Sequence, residues 1–196
     1  LNHPLSTDDL VNLAAEIEGH PDNTTPALLG GIVTAAIDGG KVYWVKQKVD
    51  RHLRFYALIP DFEMKTETAR ALLPAEVSHK TAVHNLSRAA LFSASLLQGK
   101  YENLRIGVTD LLQQPYRLEL IPGSREILDY CYQQGAYAAY LSGAGPTLMA
   151  IVSCNEPGFL PAVRQYLDGC GKSGWQILEL SIDNEGATLS EEMYHQ

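Results

Sequence analysis

The densest group of chemically capable side chains lies between Glu16 and Asn23, where Glu16, Glu18, His20, Asp22 and Asn23 follow in quick succession. Two carboxylates at i and i+2 point to different sides of a helix, so Glu16 and Glu18 are not a pair for general acid–base work. Glu18 instead stands where a helical pattern stops at Gly19, beside a loop offering His20, Asp22 and Asn23. A carboxylate there suits Mg²⁺, a hard cation that takes oxygen ligands and often only one or two from protein. The same residues also describe a solvated helix end followed by a polar loop, and spacing alone leaves both readings open.

A second cluster runs from Leu141 to Thr147, with Ser142, Gly143, Ala144 and Gly145 at its centre. Glycines at alternate positions permit positive φ and a close backbone approach. Such a turn can present N–H groups to an anion, or can simply be a tight hairpin turn. Among the isolated basic residues Arg70, Arg88, Arg105, Arg117 and Arg125, Arg117 follows Pro115-Tyr116 and precedes the turn Ile121-Pro122-Gly123. A guanidinium fork suits bidentate capture of a carboxylate or phosphate, although most single arginines lie on surfaces. No Ser/His/Asp or Cys/His arrangement stands out, and His79 and His84 read as structural. The cysteines Cys131, Cys154 and Cys170 are odd in number, widely spaced and without metal-ligand spacing, and are expected to be buried thiols in a reducing compartment.

The elements that must position these residues follow from periodicity. Ser6 or Thr7 is the expected N-cap of a first helix, with Leu10, Leu13, Ala14 and Ile17 on its apolar face. Strand patterns follow at residues 32–37, 42–49 and 53–59, the first two joined by Asp38-Gly39-Gly40, a hairpin signal. A short helix is expected near residues 66–73, then long helices at 81–97 and 102–112 and another at 125–134. The period then changes to two over 136–141 and 147–153, followed by a helix at 158–170 and a strand at 175–182. This order suggests an antiparallel sheet with helices on one face, with a domain seam near Pro60.

Composition bounds the function. The chain has 196 residues, 45% hydrophobic and 19% charged, with a formal net charge of −8. That balance suits a soluble globular protein and disfavours nucleic-acid binding, since no basic face is available to displace counterions. No apolar run approaches the ~20 residues of a membrane span. Leu1-Asn2-His3-Pro4 lacks a basic n-region, an apolar h-region and an initiator Met, so a signal peptide is not expected and the cytoplasm is. Such a start fits either processing or a chain that begins inside a longer protein.

Taken together, four segments resemble the homoserine kinase family within the GHMP kinase superfamily. They are Glu18-Gly19-His20-Pro21-Asp22-Asn23 with Pro26 to Gly31; Thr66-Glu67-Thr68-Ala69-Arg70 with Leu73-Pro74; Gln114-Pro115-Tyr116-Arg117 with Leu120 to Gly123; and Leu141 to Thr147. The resemblance runs from about Leu5 to Asp183 in one order and without large gaps. It implies an α+β fold. A remnant of the N-terminal GHMP kinase domain (ribosomal S5 domain 2-like) would occupy residues 1–60, a ferredoxin-like C-terminal domain residues 61–183, and a tail 184–196.

The resemblance also implies roles. Glu18 would hold the Mg²⁺ that accompanies ATP; His20, Asp22 and Asn23 would line an amino-acid pocket; and Thr66 would sit near the transferred phosphoryl group. Arg70 and Arg117 would clamp the carboxylate of L-homoserine, at a cost of ~2–5 kcal/mol of binding if either were lost. Ser142, Gly143, Ala144 and Gly145 would support the nucleotide loop and the phosphate end of the site. Phosphoryl transfer to a hydroxyl, as in threonine biosynthesis, depends mostly on positioning and charge neutralisation. No confident general base is evident.

Two departures stand out. The family's Pro-x-x-x-Gly-Leu-Gly-Ser-Ser-Ala loop does not occur in these residues, and Gln113 stands where the family often has His. Without that loop the backbone cradle for phosphates is missing, so the chain is expected to be the C-terminal two-thirds of a kinase and inactive by itself. Three readings stay open: a kinase separated from its N-terminal third, a non-catalytic amino-acid-binding module, and a fragment that pairs with a partner or forms a homodimer through an uncovered sheet edge.

Overall fold

A computed structural model of the chain describes residues 5–188. These divide into two compact units, one of residues 5–50 with 182–188 and one of Arg51–Ser181.

The first unit opens with helix α1, Thr7–Glu18. Ser6 caps it: the Ser6 hydroxyl accepts the Asp9 N–H at 3.1 Å, while the Asp9 carboxylate accepts the Ser6 N–H at 3.0 Å. This reciprocal box satisfies donors that a helix start otherwise leaves open. The helix stops at Gly19, whose φ of 88° lies in the left-handed region that glycine tolerates. Helix α2, Thr24–Leu29, leads into strands β1, Ile32–Asp38, and β2, Lys41–Gln47. The strands pair antiparallel across Gly39-Gly40, both at positive φ, the turn chemistry that matches strand twist.

Val11, Ala15, Leu29 and Val42 form this unit's core, with Val33, Ala35 and Trp44 packed against it. The apolar face expected on α1 is therefore not the buried one. Leu10 and Leu13 are exposed and Ile17 is 79% accessible, whereas Val11 and Ala15 are buried. Helix α1 is apolar on two sides. The hairpin takes the side that also presents Asn12, whose Oδ1 accepts the Val42 N–H at 2.7 Å.

Residues 182–188 return to this unit. The Gly31 N–H donates to the Asp183 carbonyl at 2.8 Å, the Val49 N–H to Asn184 Oδ1 at 2.9 Å, and the Ala187 N–H to the Leu28 carbonyl at 3.1 Å. The tail expected from residue 184 thus begins as a bonded segment, and its residues 189–196 lie outside those described.

The second unit holds β3, Leu53–Ile59; α3, Thr66–Ala71; α4, His79–Gln98; α5, Leu104–Gly107; α6, Gln114–Arg117; α7, Ser124–Gln133; β4, Ala138–Leu141; β5, Leu148–Ser153; α8, Phe159–Gly169; and β6, Gln176–Leu180. Its antiparallel sheet has the order β4-β5-β3-β6. With helices between β3 and β4 and between β5 and β6, this is the ferredoxin-like β-α-β-β-α-β arrangement. Strand β3 is central, which is why the division of the chain falls after Asp50 and not near Pro60.

The core lies between one sheet face (Tyr56, Leu58, Leu148, Ala150, Val152) and helices α7 and α8 (Ile127, Cys131, Phe159, Val163, Leu167). The sequence suggested helices on one face only. Instead α5 also packs on β4, with α4 against α5. The expected helix over 102–112 is only a turn of 3₁₀ helix and the short α5. Gly107 lies so close to α4 that a Cβ there would meet the Phe92 backbone at 2.9 Å, and the chain turns away after it. Of the three thiols only Cys131 is buried, Cys154 is half-buried and Cys170 exposed, so the expectation of three buried cysteines is corrected.

Candidate functional site

In the first unit, Glu18 is the last residue of α1 and its carboxylate is half exposed. His20 lies between two carboxylates, with Nε2 3.9 Å from Glu18 Oε1 and Nδ1 against Asp22 Oδ1. Asn23 occupies the N-cap of α2 but its side chain makes no capping bond. The last turn of α1 carries no basic residue. A helix C-terminus concentrates partial negative charge, so Glu18 stands where a cation is stabilised. Among the described residues no group of three or more His, Cys, Asp or Glu side chains forms a metal cage. The donor set fits a Mg²⁺ that takes one protein carboxylate and fills its octahedron with water and phosphate oxygens.

The second unit brings together Arg117, Gly143 and the field of Arg70. Ala69 is fully buried and anchors α3, leaving Thr66 and Arg70 exposed at i and i+4 on one side of the helix. Arg117 is only 6% accessible. Its Nη1 donates to Gln113 Oε1 at 2.5 Å and to the Gly143 carbonyl at 2.9 Å, and its Nε has no partner among the described residues. Both acceptors are neutral, and no carboxylate of the described residues pairs with it. Burial lowers the Arg117 pKa, Asp110 offsets part of that, and the nearby Arg70 charge lowers it further. A buried guanidinium without an anion is costly, and such sites are completed by a bound anion.

The glycine turn contributes differently from expectation. The Ser142 N–H is spent on the Thr147 carbonyl at 2.9 Å, and the Gly145 N–H on the Ser142 carbonyl at 2.9 Å. No backbone bond is made by the amides of Gly143 and Ala144 among the described residues. Gly143, at φ 53°, has open space where a Cβ would be, so a ligand can approach its backbone closely. Gly145 is packed: a Cβ there would meet Met64 Cε at 2.7 Å.

Sequence reasoning missed the groups that hold this turn and Arg117 in place. Asp110 Oδ1 accepts from Asn85 Nδ2 at 2.6 Å and the Leu112 N–H at 2.6 Å, and Oδ2 from the N–H groups of Gln113 at 2.9 Å and Gln114 at 2.6 Å. Burial pushes the Asp110 pKa up, but these bonds outweigh it and hold the carboxyl below its ordinary value. Gln114 ties α6 to the sheet, accepting the Leu141 N–H at 2.9 Å and donating to the Val108 carbonyl at 2.9 Å. The available signal was an Asp shortly before a helical Pro, the pattern of a helix start.

A profile described as "GHMP kinases C terminal" matches residues 92–158. A homoserine kinase from Clostridium beijerinckii is 47% identical over 191 residues, which span 97% of this chain and 64% of that protein. The chain is homologous to homoserine kinases along nearly its whole length. A homoserine kinase from Caldicellulosiruptor saccharolyticus is 42% identical across 94% of this chain and 60% of its own length. The crystal structure of homoserine kinase from Cytophaga hutchinsonii superposes with a TM-score of 0.83 at 25% identity, over 93% of this chain and 60% of that one. Leishmania major mevalonate kinase, at 16% identity and a TM-score of 0.64, shares the fold. The chain thus spans a little under two-thirds of the length of the homoserine kinases it matches. Among the described residues no helix is long and apolar enough to cross a membrane.

Proposed function

We propose that the protein carrying this chain transfers the γ-phosphoryl group of ATP to the side-chain hydroxyl of L-homoserine, as a cytoplasmic step of threonine biosynthesis. The observation that carries the reading is the buried Arg117 guanidinium, held by neutral acceptors, with the Arg70 charge felt beside it. Two cations without a paired carboxylate among the described residues suit a substrate carboxylate. Arg117 and Arg70 of the second unit bind that carboxylate, and Thr66, one helical turn from Arg70 on α3, serves the hydroxyl that is phosphorylated. ATP supplies the phosphoryl group, and Glu18 holds its Mg²⁺. The Gly143 and Ala144 amides face anionic oxygen.

One observation favours a narrower activity for this chain by itself. The Arg117 site is assembled entirely within Arg51–Ser181, so amino-acid binding does not require a nucleotide loop. Calorimetric titration with L-homoserine and with Mg·ATP, separately, tests both readings. The expected result is saturable binding of homoserine by the 196-residue chain, lost in Arg117→Ala, with weak or absent Mg·ATP binding. Kinase activity is expected in the full-length protein. Homoserine binding that survives Arg117→Ala unchanged would overturn the carboxylate assignment.

A further inference from the structure

Asp110 and Gln114, on the wall of the cavity beside the glycine turn, are already committed to bonds within the fold. This cavity, of about 340 Å³, is bounded by Ala89, Phe92, Val108, Gln113, Tyr140 and Gly143. Asp110 and Gln114 also border it, and the bonds described above occupy both oxygens of Asp110 and both ends of the Gln114 amide. What the wall does is fix Gln113. Asp110 takes the Gln113 N–H at 2.9 Å, the helix α6 starts one residue later, and one turn on Arg117 returns its Nη1 to Gln113 Oε1.

We infer that Gln113 is the positioning residue that orients the Arg117 guanidinium without pairing it to a carboxylate, so that the cation stays available to the substrate's carboxylate. This inference rests on the proposed role of Arg117. The chemistry of the acceptor is the argument. A carboxylate at position 113 would hold the guanidinium equally well but would neutralise it and compete with the incoming anion. An apolar side chain would leave Nη1 held only by the Gly143 carbonyl. A neutral amide oxygen does neither. The nearest anion that Arg117 senses, Asp110, has its lone pairs turned to four other donors and does not pair with it.

The test uses the full-length protein with L-homoserine and with 3-aminopropan-1-ol, which keeps the amine and hydroxyl but lacks the carboxylate. Gln113→Met should raise the homoserine KM about tenfold with kcat within twofold, and leave the KM of the analogue unmoved. Gln113→Glu, which preserves shape, should raise the homoserine KM further, to about a hundredfold, again without moving the analogue. Gln113→His, which keeps a neutral acceptor, should stay within threefold of the parent. If Arg117→Ala raises the homoserine KM but Gln113→Met and Gln113→Glu do not, the inference is overturned. It is equally overturned if either Gln113 variant weakens both compounds alike, because that marks a general structural role. If Arg117→Ala itself leaves the homoserine KM unchanged, the reading of Arg117 fails first, and the inference falls with it.

Discussion

Replacing Arg117 by Met should leave the second unit at least as stable as before while abolishing its response to homoserine. The substitution removes two charge-assisted hydrogen bonds, to Gln113 Oε1 and the Gly143 carbonyl, worth about 1.5–3 kcal/mol each. It also removes a cation on a residue that is only 6% accessible and that lacks a paired carboxylate, where effective desolvation costs on the order of several kcal/mol. The terms nearly cancel, and replacing a buried charge by an apolar side chain of similar volume is often neutral or stabilising. Gln113 and Gly143 are both exposed, so the acceptors left behind turn to water at little cost. The net expectation is a gain of roughly 0–2 kcal/mol, which at about 2–4 °C per kcal/mol for a chain of this size is a Tm rise of up to about 8 °C. Ligand response supplies the second half. Homoserine at 100 times its Kd should stabilise the parent by about 2.7 kcal/mol and the Arg117→Met variant not at all. Differential scanning calorimetry with and without homoserine reads both quantities. A variant that melts several degrees lower without ligand would show the guanidinium to be a structural tether, and a variant that keeps the ligand shift would show that the carboxylate binds elsewhere.

Other consequences are simpler to read. The Asp110 pKa is depressed in the folded chain, so its stabilising effect is fully present above the unfolded carboxylate value of about 3.9 and fades as pH falls through the lower folded value. Asp110→Asn should therefore lower the urea midpoint at pH 6, and the gap to the parent should shrink between pH 4 and pH 2. Gly30→Ala should cost at least ~3 kcal/mol, because Gly30 sits at φ 71° and a Cβ would lie 2.5 Å from the Gly186 nitrogen. Limited proteolysis should then cut residues 182–188 well before the rest of the chain. Burial pushes the Cys131 thiol up to about 12, so at pH 8 an aromatic disulfide reagent should label exposed Cys170 quickly and Cys131 only on unfolding.

The sequence made the element order and the site segments legible to different degrees. The ends of α1 were readable because they are local: Ser6 and Gly19 cap in place, with bonds to atoms three or four residues away. The Gly39-Gly40 hairpin was readable for the same reason. The choice of buried face on α1 was not, because Leu10, Val11, Leu13, Ala14, Ala15 and Ile17 surround the helix and periodicity cannot say which side the hairpin will cover. Nor could propensity place β3. Residues 53–59 look like a third strand of the preceding hairpin, yet they pair with β5 and β6, nearly a hundred residues or more along the chain.

The site shows the same division at finer grain. Arg117 was visible as a residue type in a suggestive segment, but what makes it chemically distinctive is burial without an anion, a property of packing that no spacing encodes. The groups responsible come from three places: Asp110 and Gln113 just before α6, Asn85 on α4, and the Gly143 carbonyl after β4. Asp110 and Asn85 would pass as ordinary polar surface residues in the sequence. The joint effect of these groups is to engage the Asp110 carboxylate in bonds to other donors while giving Arg117 only neutral acceptors. An arrangement built only for stability would have let Asp110 pair with Arg117, since a buried cation is most cheaply held by a carboxylate. That Asp110 is bonded to other donors, while Arg117 is held by neutral acceptors alone, is the physical reason to regard the guanidinium as reserved for an anion that arrives from outside.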